Sequence, residues 1–137
     1  MTLAEAASKW LDENIKSSGL PENIKIIKPA VGYASCPDHT LKGEILEYLG
    51  ECGKPHHHHA HHGHDCRCGH KHGPLGISLT DSYAMTPEAS ICGLVFIHPE
   101  AGYPDIRAIG KEQYDSYSKL RGFDSDKARR FLGHLLK

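Results

Sequence analysis

The sequence predicts an α+β domain with a mixed or antiparallel sheet and flanking helices. Three observations carry that expectation. Apolar residues recur at helical spacing near both ends of the chain, and short β-branched runs lie between them. The order along the chain is helix–strand–helix, then strands, then two helices. With 137 residues the chain is read as a single domain, 1–137, with a modest core.

Residues 3–18 form the first expected helix: Leu3, Ala6, Ala7, Trp10, Leu11 and Ile15 make its apolar face. Thr2-Leu3-Ala4-Glu5 fits a capping box, and Gly19 followed by Pro21 ends the element. Residues 24–28 are a short strand cut off by Pro29. A loop, 30–39, leads into a helix over 40–49, with Asp38 or Thr40 as its N-cap. Residues 76–80 and 90–98 are expected strands, and 103–109 is expected to pair back on the latter across Pro99-Glu100-Ala101-Gly102. Helices over 111–120, closed by Gly122, and 125–136, capped by Asp124, complete the chain.

Composition excludes several function classes. Lys+Arg 16 against Asp+Glu 17 gives a net charge of -1, so there is no global attraction to nucleic acid or to an anionic membrane. The longest apolar run, 91–97, is far short of the ~20 residues that span a bilayer. The segment Met1 to Glu5 shows neither a basic n-region nor an apolar h-region, and five cysteines form no paired framework. A cytoplasmic protein with free thiols or thiolate ligands is the expectation.

The 12 histidines are out of proportion in a chain with 3 Phe and 1 Trp. Nine of them fall in the Gly-, His- and Cys-rich stretch 51–74, read as an insert loop with too few apolar residues to join a core. Imidazole and thiolate favour zinc, nickel, cobalt or copper. The candidate metal ligands are His56, His57, His58, His59, His61, His62, His64, Cys66, Cys68, His70 and His72. Cys66, Cys68, His70 and His72 stand at every second position, so in an extended segment they emerge on one side. A metal-binding or metal-delivery protein is one functional reading. No water-activating Glu stands in a metallohydrolase pattern, and Cys36 with His39 lacks a third, orienting group for nucleophilic catalysis.

A second constellation is Lys28-Pro29-Ala30-Val31-Gly32-Tyr33-Ala34-Ser35-Cys36-Pro37-Asp38-His39-Thr40. It resembles the Arg-Pro-Ala-x-Gly-Tyr-Pro-x-x-Pro-Asp/Glu-His-Thr loop of the activation domain of cobalamin-dependent methionine synthase. Further stretches resemble that family in the same order: 76–87 with Leu79-Thr80-Asp81-Ser82 and Ala84-Met85, then 89–103 with His98-Pro99 and Tyr103. The stretch 109–117 with Ile109, Gln113 and Tyr117 continues the series, and Leu3-Ala4-Glu5-Ala6 has a counterpart in the leading helix. The resemblance spans nearly all of the chain except the insert and corresponds to the C-terminal half of the family's domain. Lys28 stands where the family has Arg, and Ala34 where it has Pro.

The resemblance implies a fold like that activation domain and binding of S-adenosylmethionine, whose methyl group reactivates oxidised cobalamin after one-electron reduction. The implied binding residues are Glu5, Lys28, Pro29, Ala30, Gly32, Tyr33 and Tyr103. Lys28 would take the α-carboxylate, Glu5 the amine or ribose, and the tyrosines the adenine or the sulfonium. The chain lacks an Asp-x-His-x-x-Gly sequence, so cobalamin would come on a partner, a cobalamin-carrying methionine synthase or its cobalamin module. The implied role is that of an accessory protein without catalytic residues of its own, its pocket completed by another subunit, by a homo-oligomer, or not at all.

Overall fold

The computed structural model describes residues 2–55 and 73–137. All eleven proposed metal ligands, His56, His57, His58, His59, His61, His62, His64, Cys66, Cys68, His70 and His72, lie outside the described residues.

Helix α1 runs Leu3–Ser17 and begins with the expected capping box: the Glu5 N–H donates to the Thr2 hydroxyl (3.2 Å) and the Thr2 N–H to the Glu5 carboxylate (2.7 Å). After a left-handed Gly19 (φ 81°) the chain enters strand β1, Lys25–Ile27. Helix α2 is Leu41–Tyr48. Strands β2 (Ser78–Leu79) and β3 (Met85–Thr86) form one antiparallel pair. Strand β4 (Phe96–His98) is followed by helices α3 (Lys111–Leu120) and α4 (Ser125–Leu132), with a 3-10 turn over Gly133–Leu135. The α+β class holds, with small antiparallel sheets between the helices.

One pairing differs from expectation. Residues 103–109 form no strand beside β4; β4 instead pairs antiparallel with β1, in the register Lys25↔His98, Ile26↔Ile97, Ile27↔Phe96. Pro104 has no N–H to give a ladder, and two of the segment's other donors are used elsewhere. Ile106 N–H donates to the Ala34 carbonyl (2.9 Å) and Ile109 N–H to that of Leu135 (2.8 Å). The last predicted helix also stops early, at Leu132, where Gly133 begins the tighter turn.

The β2–β3 connection was not expected. Tyr83 adopts φ 60°, which costs an aromatic residue about 1–3 kcal/mol. Burial holds it there: its ring meets Phe131 edge-on (5.3 Å between centroids, 88°) within a core of Leu46, Leu79, Tyr83 and Phe131. The Thr80 hydroxyl accepts from Ala84 N–H and closes the turn.

The insert's flanks also depart from the sequence reading, because residues 51–55 are integrated rather than loose. Gly53 lies directly on Gly43 of α2, so that a Cβ on either would overlap the other's carbonyl. Glu51 is buried and accepts from Leu75 N–H (2.5 Å), tying the two ends of the segment together.

A buried carboxylate fixes the loop between β1 and α2. Asp38 Oδ1 accepts from the Thr40 N–H (2.9 Å) and hydroxyl (2.7 Å), so Asp38 and not Thr40 satisfies the start of α2. Its Oδ2 accepts from the Tyr117 hydroxyl (2.8 Å) and lies 3.3 Å from Arg121 Nε. Arg121 further binds the Thr40 hydroxyl (3.0 Å) and Glu44. Burial and the bond to Asp38 push the Tyr117 phenol well above its usual range, so it stays a donor at all ordinary pH. Burial works against the Arg121 charge, but the bond to Glu44 and the charge of Asp38 outweigh it.

Three outcomes follow. Asp38→Asn removes the buried charge that faces Tyr117 and Arg121, leaving Glu44 as the guanidinium's carboxylate, and should lower unfolding free energy by about 1–3 kcal/mol in urea titration. Gly53→Ala should cost about 1–3 kcal/mol by the same measurement, through the forced separation of residue 53 from α2. Gly76→Ala, where nothing lies within reach of a Cβ but φ is 65°, should show a backbone penalty alone.

Candidate functional site

The loop that carries the predicted binding residues begins where β1 ends. The Lys28 N–H leaves the ladder and donates to the Tyr103 hydroxyl (2.9 Å), joining residues far apart in sequence. Pro29 and Val31 are buried, and Ala30 bridges Gly93 beside β4. The chain then turns tightly: Tyr33 N–H donates to Ala30 (3.2 Å), Cys36 N–H to Tyr33 (2.8 Å) and Gly32 N–H to Cys36 (2.7 Å). Gly32 has φ 95°, and a Cβ there would run into the His39 ring, so both backbone geometry and space require glycine. The turn lifts Tyr33 into solvent, 70% exposed.

Lys28 is held by α1. Its ammonium donates to Asp12 Oδ2 (2.6 Å), to the Ser8 hydroxyl (2.7 Å) and to the Ser8 carbonyl (3.0 Å), using all three protons. Ser8 and Asp12 share a helix face with Glu5 at i, i+3 and i+7 spacing, which places all three on the side of α1 toward Lys28. Glu5 itself is occupied in the capping box. A cleft of about 430 Å³ opens between α1 and β1, with Asp12, Lys28 and Tyr103 in its wall beside Lys16, Ile24 and Ile26.

The structure thus brings Lys28 and Tyr103 together against α1, with Pro29, Ala30, Gly32 and Tyr33 continuing from them along one loop. Tyr33 and Gly32 are outside the cleft wall. Ser8 and Asp12 were missed from sequence; their helical phase with Glu5 was the available signal.

The same loop is poorly suited to nucleophilic chemistry. Burial, and then the nearby Asp38 charge, raise the Cys36 thiol above its usual range, which disfavours the thiolate. The His39 ring lies on Gly32 with its Nδ1 3.2 Å from the Lys42 ammonium rather than on a sulfur. Among the described residues no group of three His, Cys, Asp or Glu side chains is placed to hold a metal, and no helix is long and apolar enough to cross a membrane.

Comparison with known proteins matches most of the chain. The crystal structure of the MetH reactivation domain bound to AdoHcy superposes with a TM-score of 0.71 at 28% sequence identity. The match covers 97% of this chain and 39% of that one, so the present chain spans about two fifths of its neighbour's length. The family model for the activation domain of vitamin B12 dependent methionine synthase matches residues 3–122, from the first turn of α1 to the glycine after α3. The chain belongs to the vitamin B12 dependent methionine synthase activation domain family.

Proposed function

We propose that the chain binds S-adenosylmethionine on the surface formed by α1, the 28–36 loop and Tyr103, and presents it to a cobalamin-carrying methionine synthase module. The observation that carries this reading is the Lys28–Asp12 ion pair on the wall of the cleft, beside the Tyr103 hydroxyl. An amino-acid zwitterion offers the same two charges with opposite partners. Its carboxylate replaces Asp12 on Lys28 while its ammonium takes the freed Asp12, with Glu5 on the same helix face. The exchange conserves charge pairing, so little desolvation is left uncompensated.

Tyr33, exposed at the tip of the turn, and Tyr103 offer ring faces to a sulfonium or an adenine. When bound, S-adenosylmethionine supplies a methyl group on a positively charged sulfur, a leaving group that needs no protonation. The chain's task is then to hold and orient, which agrees with a site lacking an activated nucleophile. The cobalamin and its reductant belong to the partner.

The similarity of the fold to a domain bound to AdoHcy supports the ligand class. A second reading, metal handling by the 56–72 tract, rests on its donor types alone; elemental analysis of untagged protein, with and without residues 55–73, decides it by whether stoichiometric metal is lost with the deletion.

Calorimetric titration of the full chain with S-adenosylmethionine, alone and with the cobalamin module, tests the main reading. Lys28→Met should weaken binding by roughly 10- to 150-fold, as expected for one charge-assisted contact. Tyr33→Ala should weaken it by about 3- to 30-fold through loss of the ring. Absence of heat in both arms removes the assignment.

A further inference from the structure

On the other side of His39 lies a second cleft, of about 390 Å³, whose wall includes His39, Lys42, Ser82, Arg130 and His134. We propose that it is a binding site for a tetrahedral oxyanion, a phosphate or the phosphate group of a larger molecule.

Four of these side chains carry or can carry positive charge, and the described wall contains no carboxylate. They converge from two elements. His39 and Lys42 stand three residues apart at the start of α2, while Arg130 and His134, four apart, share a face of α4 and the turn that follows it. Lys42 is 92% buried, yet among the described residues its bonds go to neutral atoms: the Tyr83 carbonyl (3.0 Å) and His39 Nδ1 (3.2 Å). Those two bonds use two of its three protons. The nearest carboxylate felt by His39, that of Asp38, is committed to Thr40, Tyr117 and Arg121.

A buried ammonium bonded only to neutral acceptors is costly without an anion. Burial lowers the Lys42 ammonium, and burial, Lys42 and His134 lower the His39 imidazole, with Asp38 opposing in part. Cys92 also lies close to Lys42, but burial raises its thiol above the usual range, so it does not supply the missing charge. Lys127, whose ammonium sits over the Tyr83 ring (5.8 Å), adds to the positive field. A planar carboxylate offers acceptors in one plane, whereas a tetrahedral dianion meets ammonium, guanidinium, imidazole and the Ser82 hydroxyl from several directions. The site is distinct from the α1 cleft and shares with its loop only the His39 ring, which rests on Gly32.

The test is calorimetric titration of the full chain with inorganic phosphate, glycerol 3-phosphate and acetate at equal ionic strength, pH 7.5, in chelator. Saturable phosphate binding that is weakened at least tenfold in Arg130→Gln/His134→Gln supports the proposal; both positions are exposed, so the variant should unfold at the wild-type temperature without phosphate. Tighter binding of the ester than of inorganic phosphate assigns the phosphate group of a larger molecule, and the reverse order assigns the free ion. The His39 ring, identified by its loss in His39→Asn, should titrate at higher pH with phosphate present, since an anion favours imidazolium. No saturable binding, undiminished binding in the double variant, or acetate binding as tightly as phosphate overturns it.

Discussion

The Asp38 carboxylate holds the rest of the arrangement in place. It is 3% exposed and takes both donors of Thr40, the Tyr117 hydroxyl and the flank of the Arg121 guanidinium. A charge so deeply removed from water persists only because each oxygen is met by donors. Those donors come from the start of α2 and from one face of α3, where Tyr117 and Arg121 are a turn apart. The loop that carries Lys28 to Tyr33 is therefore anchored at its far end to the C-terminal helices. At its near end it is anchored to α1 by the Lys28 ammonium.

Between those anchors the path is set by close approach. Gly32 leaves room for the His39 ring, and Gly43 and Gly53 let the chain before the His/Cys tract lie directly on α2. Glu51 then closes the tract at its base. The described residues on either side of this segment are tied together by the Glu51–Leu75 bond and the parallel bridge Pro55↔Leu79. The His39 ring packs on Gly32 of this loop and also lines the basic cleft behind it.

Burial is uneven. Leu46, Leu79, Tyr83 and Phe131 form a core on the side of α2 and α4, whereas α1 has no buried residue and β4 exposes Phe96 and Ile97 at nearly half their surface. The loop sits at the boundary between the two. Its anchor is rigid on the Asp38 side, while on the α1 side it is held by ion pairs and hydrogen bonds rather than packing. Such bonds exchange more readily than packed apolar contacts.

The four helices were legible in the sequence because their causes are local: apolar spacing, the Thr2–Glu5 capping box, Asp124 as N-cap, and glycines at the ends. The loop motif from Lys28 to Thr40 was legible as well, and with it the family. Pairing was not. That β4 meets β1 and not 103–109 depends on Ile106 and Ile109 finding acceptors elsewhere, and that Lys28 rests on Ser8 and Asp12 depends on where α1 lies. The Asp38 network and the basic cleft join residues as much as 83 and 95 positions apart, with no periodicity to announce them. Local chemistry thus determined the elements and the binding motif. Only the tertiary structure decided which charges face each other, because ion pairs and strand partners are selected by proximity in space after packing.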